Sequence, residues 1–197
     1  MHHTRLLLAA PFLLLLSLAA PCAAQQQPAP TPTPYEFETR LESLMYETGT
    51  VIVKGYTRVG SMQGSRGGAY FTAWEVTEAR TGRREQGVGV EITDNTTNRP
   101  DPDERAYIDY DELGPLLKGI DFIMKLDDKA TKLARFEAQY QTRGGFMIVT
   151  FNTPGGYAAA ISTGGGRRQR FVLRPTGLAE FRTLLESAKA ALDGTEP

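Results

Sequence analysis

The sequence predicts an α+β domain in which two consecutive β4-α units, each an antiparallel sheet followed by a helix, share one core. A short N-terminal helix precedes them. Three observations lead to this reading. Most of residues 50–174 falls into runs with the two-residue period of strands, separated by glycine-rich turns. Two further stretches carry apolar residues three and four apart, the stripe of an amphipathic helix. Sliding the second stripe back by 65 residues sets Thr176 on Asp111, Leu178 on Leu113, Phe181 on Leu116 and Leu185 on Ile120. The same slide sets Phe171-Val172 on Ala106-Tyr107, so the chain reads as pseudo-repeats over 50–128 and 131–193.

The first residues stand apart from this domain. Arg5, an apolar run over 6–18 and the small-residue end Ala19-Ala20-Pro21-Cys22-Ala23-Ala24 predict a secretory signal peptide over 1–24. The run is too short for a membrane span, which needs about 20 residues. Lipid attachment at Cys22 is the rival processing, and Pro21 occupies the place where a lipoprotein signal wants a small residue. Residues 25–34, QQQPAPTPTP, read as an extended proline-rich tether. The single α+β domain is then 35–197, exported to the periplasm or the extracellular space of a bacterium.

Each element has its own signal. Over 35–47, Phe37, Leu41, Leu44 and Met45 sit at helical spacing before Gly49. Strands follow at 50–59, at 69–77 with Tyr70, Thr72, Trp74 and Val76 on one face, and at 86–93 with Val88, Val90 and Ile92. A polar loop over 94–104 leads to a strand at 105–109. The next helix begins between Asp111 and Pro115, with Pro115 in its first turn, Asp111 as its cap and an inward stripe of Leu113, Leu116, Leu117, Ile120, Ile123 and Met124. Phe122 and Leu126 lie off that stripe, which predicts cover on more than one side. Residues 132–143 alternate with Phe136, Ala138 and Tyr140 inward, and Gly144-Gly145 turns into a strand at 146–151. Strands at 157–162 and 169–174 follow, and Thr176 caps a helix carrying Leu178, Phe181, Leu185, Ala188 and Leu192.

A four-strand-plus-helix unit used twice resembles the PUR and Whirly group of single-stranded nucleic-acid binders, a likeness of topology over roughly 50–193. Separately, the stretch AYIDYDELGPLLKGIDFIMKL with KLARFEAQYQTRGGF is similar to a family of uncharacterised exported bacterial proteins. The first likeness implies nucleic-acid binding, and the second carries no activity.

Composition excludes more chemistry than it suggests. Both histidines and the only cysteine precede residue 25, so the mature chain has none of either. That removes a Ser-His-Asp triad, a cysteine nucleophile, a conventional zinc site and a disulfide. With 22 basic and 23 acidic residues in the whole chain there is no basic excess of the kind a dedicated nucleic-acid binder shows. No cofactor is expected. The acids Asp94, Asp101, Asp103, Glu104, Asp109, Asp111 and Glu112 could ligate Ca²⁺ or serve a carboxylate-dependent hydrolase, but Arg99 stands where an EF-hand needs glycine. They read better as a helix cap and a solvated loop.

Two basic turns suggest anion binding by guanidinium forks. Arg83 and Arg84 lie in the turn after the second strand, and Arg167, Arg168 and Arg170 lie in the turn before the last. Charged hairpin tips also keep sheet ends soluble. Tyr56, Tyr70, Phe71, Trp74, Tyr140, Phe146, Phe151 and Tyr157 form core if covered and a stacking platform if a sheet face is open. The function expected is non-catalytic binding of an unidentified ligand or protein, with a single-stranded nucleic acid or other polyanion as the alternative.

Overall fold

The computed structural model describes residues 38–64, 67–94, 105–127, 129–164, 170–173 and 176–194. The expected leader, the tether, Phe37, Arg167, Arg168 and the loop acids at 101, 103 and 104 lie outside them. The elements run α1 (Arg40–Met45), β1 (Ile52–Gly64), β2 (Gly67–Glu78), β3 (Arg84–Asp94), β4 (Arg105–Asp109), α2 (Tyr110–Ile123), β5 (Glu137–Gln141), β6 (Met147–Thr153), β7 (Gly156–Ser162), β8 (Arg170–Val172) and α3 (Gly177–Asp193). They form two antiparallel sheets, ordered β1-β2-β3-β4 and β5-β6-β7-β8, each followed by a helix. Among the described residues no helix is long and apolar enough to cross a membrane.

One apolar cluster joins both units. Phe71, Val88 and Ile108 of the first sheet meet Ile148, Ile161 and Phe171 of the second around Leu116 and Ile120 of α2 and Phe181 and Leu185 of α3. The helices do not simply cover their own sheets. α3, at the end of the second unit, lies on β1, β2 and β3, whereas α2 packs on β3, β4 and β5. A smaller cluster sits on the other face of the first sheet, where Leu41, Leu44 and Met45 of α1 cover Val76 and Tyr107.

Several expectations change in detail. β1 runs five residues past Val59, because a bulge between Arg58 and Gly60 lets pairing with β2 resume on the other side of it. Its glycines then serve close packing. A Cβ on Gly60 would lie 2.4 Å from Leu184, and one on Gly64 would lie 2.7 Å from Phe171. β5 is confined to Glu137–Gln141, with the expected alternation intact. α2 starts at Tyr110, so Pro115 is its sixth residue and lies past the first turn. Burial of Leu113 and Leu116 holds that start despite the bond to the Asp111 carbonyl that proline cannot make. Phe122 is 67% exposed and Met124 is 48% exposed, whereas Leu126 packs against the core.

The expected cap at Asp111 is also replaced. Asp109 holds the N-cap position of α2 without capping it, and Thr176 likewise makes no side-chain cap bond to α3. The Asp109 carboxylate turns instead to α1, where it accepts the backbone N–H of Arg40 and of Leu41, each at 3.0 Å. Arg143, from the β5–β6 turn, approaches the same carboxylate at 3.3 Å and also meets Asp111 at 2.5 Å and Glu112 at 3.4 Å. These acids therefore fasten α1, α2 and the β5–β6 turn together.

Glu78 performs a similar task at the β2–β3 turn. Only 2% exposed, it accepts the hydroxyls of Thr50 and Thr81 and the backbone N–H of Thr81 at 2.7 Å and of Arg80 at 3.2 Å. The hydrogen bonds from Thr50 and Thr81, opposed by burial, hold its carboxyl at a pKa of about 2 against an ordinary 4.5. A folded pKa below the unfolded one stabilises the protein above the unfolded value. That stabilisation is lost as the pH falls from 4.5 towards 2. Denaturation midpoints measured across this range are expected to fall less steeply in Glu78→Gln than in the parent chain. Parallel curves would assign the acid sensitivity to other groups.

Candidate binding surface

Of the arginines expected to bind an anion at the two basic turns, Arg83, Arg84 and Arg170 lie within the described residues. Arg83 pairs with Glu47 beyond α1, and Arg84 pairs with Glu75 on β2. Arg170 places its guanidinium 5.4 Å from the ring centre of Phe151. Arg167 and Arg168 lie outside the described residues. Among the described residues no group of three or more acids or other ligating side chains is placed to hold a metal ion.

The aromatics divide by face. Phe71 and Phe146 are buried core, Tyr140 packs against that core over Gly119, and Tyr157 meets Phe136 at 5.9 Å. Tyr56, Tyr70 and Trp74 are different, because they lie on the face of the first sheet that α3 does not cover. The reason is local. Ala69, Phe71 and Ala73 of β2 point into the core, so alternation sends Tyr70, Thr72 and Trp74 the other way. On β1 the outward set before the bulge is Lys54, Tyr56 and Arg58, with Tyr56 directly opposite Trp74 and Arg58 opposite Thr72.

These side chains build one surface. The Tyr56 ring is 4.7 Å from the Trp74 ring and 68% exposed, so its outer side is free to stack. Trp74 in turn meets Tyr107 edge-on at 6.5 Å. Gly89 of β3 lies beneath, and a Cβ there would come within 2.9 Å of the indole nitrogen. Glycine at that position lets the indole lie against the sheet. Arg58 lies over the Tyr70 ring at 4.6 Å, and Lys54 lies over the Tyr46 ring at 5.2 Å.

No protein-family model, no curated protein and no solved structure matches this chain. The surface must therefore be judged on its own electrostatics.

Arg105 donates to Glu91 at 2.7 Å and to the Tyr107 hydroxyl at 3.3 Å. Burial works against the Arg105 charge, yet these bonds overcome it and hold the guanidinium above its ordinary value. Burial also pushes the Tyr107 phenol up, with Arg105 pulling the other way. The Arg105–Glu91 ion pair therefore adds no net charge to the surface. Lys54 and Arg58 have aromatic partners and, among the described residues, no carboxylate partner. Lys54 and Arg58, without a carboxylate partner among the described residues, thus flank an exposed ring on one edge strand, each roughly 6.6 Å from it and about 13 Å from each other along the strand.

The aromatic set was legible in the sequence, but the residues that matter within it were not. Lys54 and Arg58 were missed altogether. The signal available was the alternation Lys-Gly-Tyr-Thr-Arg over 54–58, which places two cations and one ring on the same side of a strand.

Proposed function

We propose that this chain is an exported, non-catalytic binding protein that holds single-stranded nucleic acid on the outer face of its first sheet. One observation carries the reading. Tyr56 is exposed, backed by Trp74, and flanked by Lys54 and Arg58 without acidic partners among the described residues. A base stacks on the ring, and the cations take the phosphates on either side. The β4-α unit used twice supports it, through its resemblance to the PUR and Whirly binders. The leader supports a second ligand with the same chemistry, an anionic polysaccharide met outside the cytoplasm.

Trp74 is the only tryptophan in the chain, so its fluorescence reports on this surface alone. Titration with a homopolymeric oligodeoxynucleotide is expected to quench it saturably. Tyr56→Ala is expected to weaken binding about tenfold or more, since stacking one base is worth ~1–3 kcal/mol. Lys54→Ala and Arg58→Ala should each lower the slope of log affinity on log salt by about 0.7. Quenching by an anionic polysaccharide and not by the oligonucleotide would select the second ligand. No saturable response to either, or affinity unchanged in Tyr56→Ala, would refute the assignment.

A further inference from the structure

A pocket of about 440 Å³, sharing no lining residue with the Trp74 surface, opens between the two long helices and the second sheet. Ile123 at the end of α2, with Met124 and Leu126 just after it, forms one wall, Leu178 stands on the α3 side, and Thr150 and Tyr157 belong to the floor strands. Its size lies within the roughly 300–1,000 Å³ of small-molecule sites. Protein interiors are close-packed, so a space this large beside the core has a local cause. Here the cause is side-chain size: Ala158, Ala159 and Ala179 line it where larger residues would fill it.

The lining decides what fits. None of its described residues is charged. The floor backbone is already satisfied, with Leu173 N–H donating to the Ala159 carbonyl at 2.9 Å and the Thr150 hydroxyl donating to the Ala158 carbonyl at 3.3 Å. The described lining is otherwise apolar, and its hydroxyl-bearing residues are Thr150, Thr176 and Tyr157. Among the described lining residues there is no charge to compensate the hydration that a charged guest would lose. Met124 and Tyr157, 48% and 44% exposed, stand on the pocket wall with part of their surface still in water. An unbranched, polarisable methionine adapts to varied guests.

We infer that this pocket binds an uncharged, largely apolar small molecule carrying one hydroxyl-like polar end. It is independent of the Trp74 surface, so either assignment can fail without the other.

The test uses the folded chain and N-phenyl-1-naphthylamine, an uncharged apolar fluorophore. Saturable enhancement at one probe per chain is expected, with displacement by 1-dodecanol. Dodecanoate at pH 8 should displace the probe about tenfold less well, equivalent to ~1.4 kcal/mol. Ala179→Leu and Ala159→Leu should each weaken probe binding about tenfold by filling the space. Probe-induced amide shifts in the parent chain should centre on Thr150, Tyr157 and Leu178, which tests the location even if a filled variant does not fold. Absence of saturation, shifts confined to other regions, unchanged affinity in both folded variants, or equal displacement by dodecanoate would overturn the assignment.

Discussion

Phe181→Ala is expected to lower the unfolding free energy by about 4 kcal/mol, the middle of the range for deleting a buried aromatic ring. Phe181 is fully buried on α3, 5.5 Å from the ring of Phe71 on β2 and 5.6 Å from that of Phe146 just before β6. The ring joins both units at the centre of the shared core. Its removal leaves a cavity that two sheets and a helix can only partly close, and strips partners from both neighbouring rings. Guanidinium unfolding should show a lower midpoint with an unchanged slope, because the same surface is exposed. Phe181→Leu should lose about half as much. A loss below ~1 kcal/mol would mean that the units are stabilised separately, each by its own helix.

Asp109→Ala is the second large effect, expected at about 3 kcal/mol. Its carboxylate is 1% exposed and accepts two backbone N–H groups at the start of α1, with Arg143 at 3.3 Å and Arg40 at 3.6 Å. A hydrogen bond to a charged group contributes ~1.5–3 kcal/mol, and removing the acceptor leaves buried donors unsatisfied. α1 has six residues, far too short to be helical without outside help. Its release would uncover Val76 and Tyr107 and change the surroundings of Trp74. Denaturant midpoints and Trp74 emission should shift together, with Asp109→Asn intermediate because an amide oxygen keeps one acceptor. An unchanged emission maximum would show that α1 is held by Leu41 and Leu44 alone.

How far local pattern reaches is clear from particular residues. Leu113, Leu116, Ile120 and Ile123 are buried at the spacing that marks a helix, and Phe181, Leu185 and Ala188 repeat it 65 positions later for Phe181, Leu185 and Ala188 against Leu116, Ile120 and Ile123. Asp111 satisfies every local rule for a cap, yet the structure uses Asp109, and for a helix some 70 residues earlier in the chain. The end of β1 was missed for a related reason. The bulge at Val59 changes the outward residues from even to odd numbers, and a fixed two-residue period stops there.

From residue 25 onward the sequence by itself determines that no imidazole and no thiol is present, and its two periods determine strands, helices and their repetition. Only the tertiary structure decides which side of the first sheet meets water. A strand carries two alternate sets of side chains with equal regularity, and Phe71 and Trp74 are equally good candidates for burial by composition. The choice is made by α3, which arrives from the far end of the chain, lies on the face that holds Phe71, and leaves Tyr56, with Lys54 and Arg58 beside it, on the other.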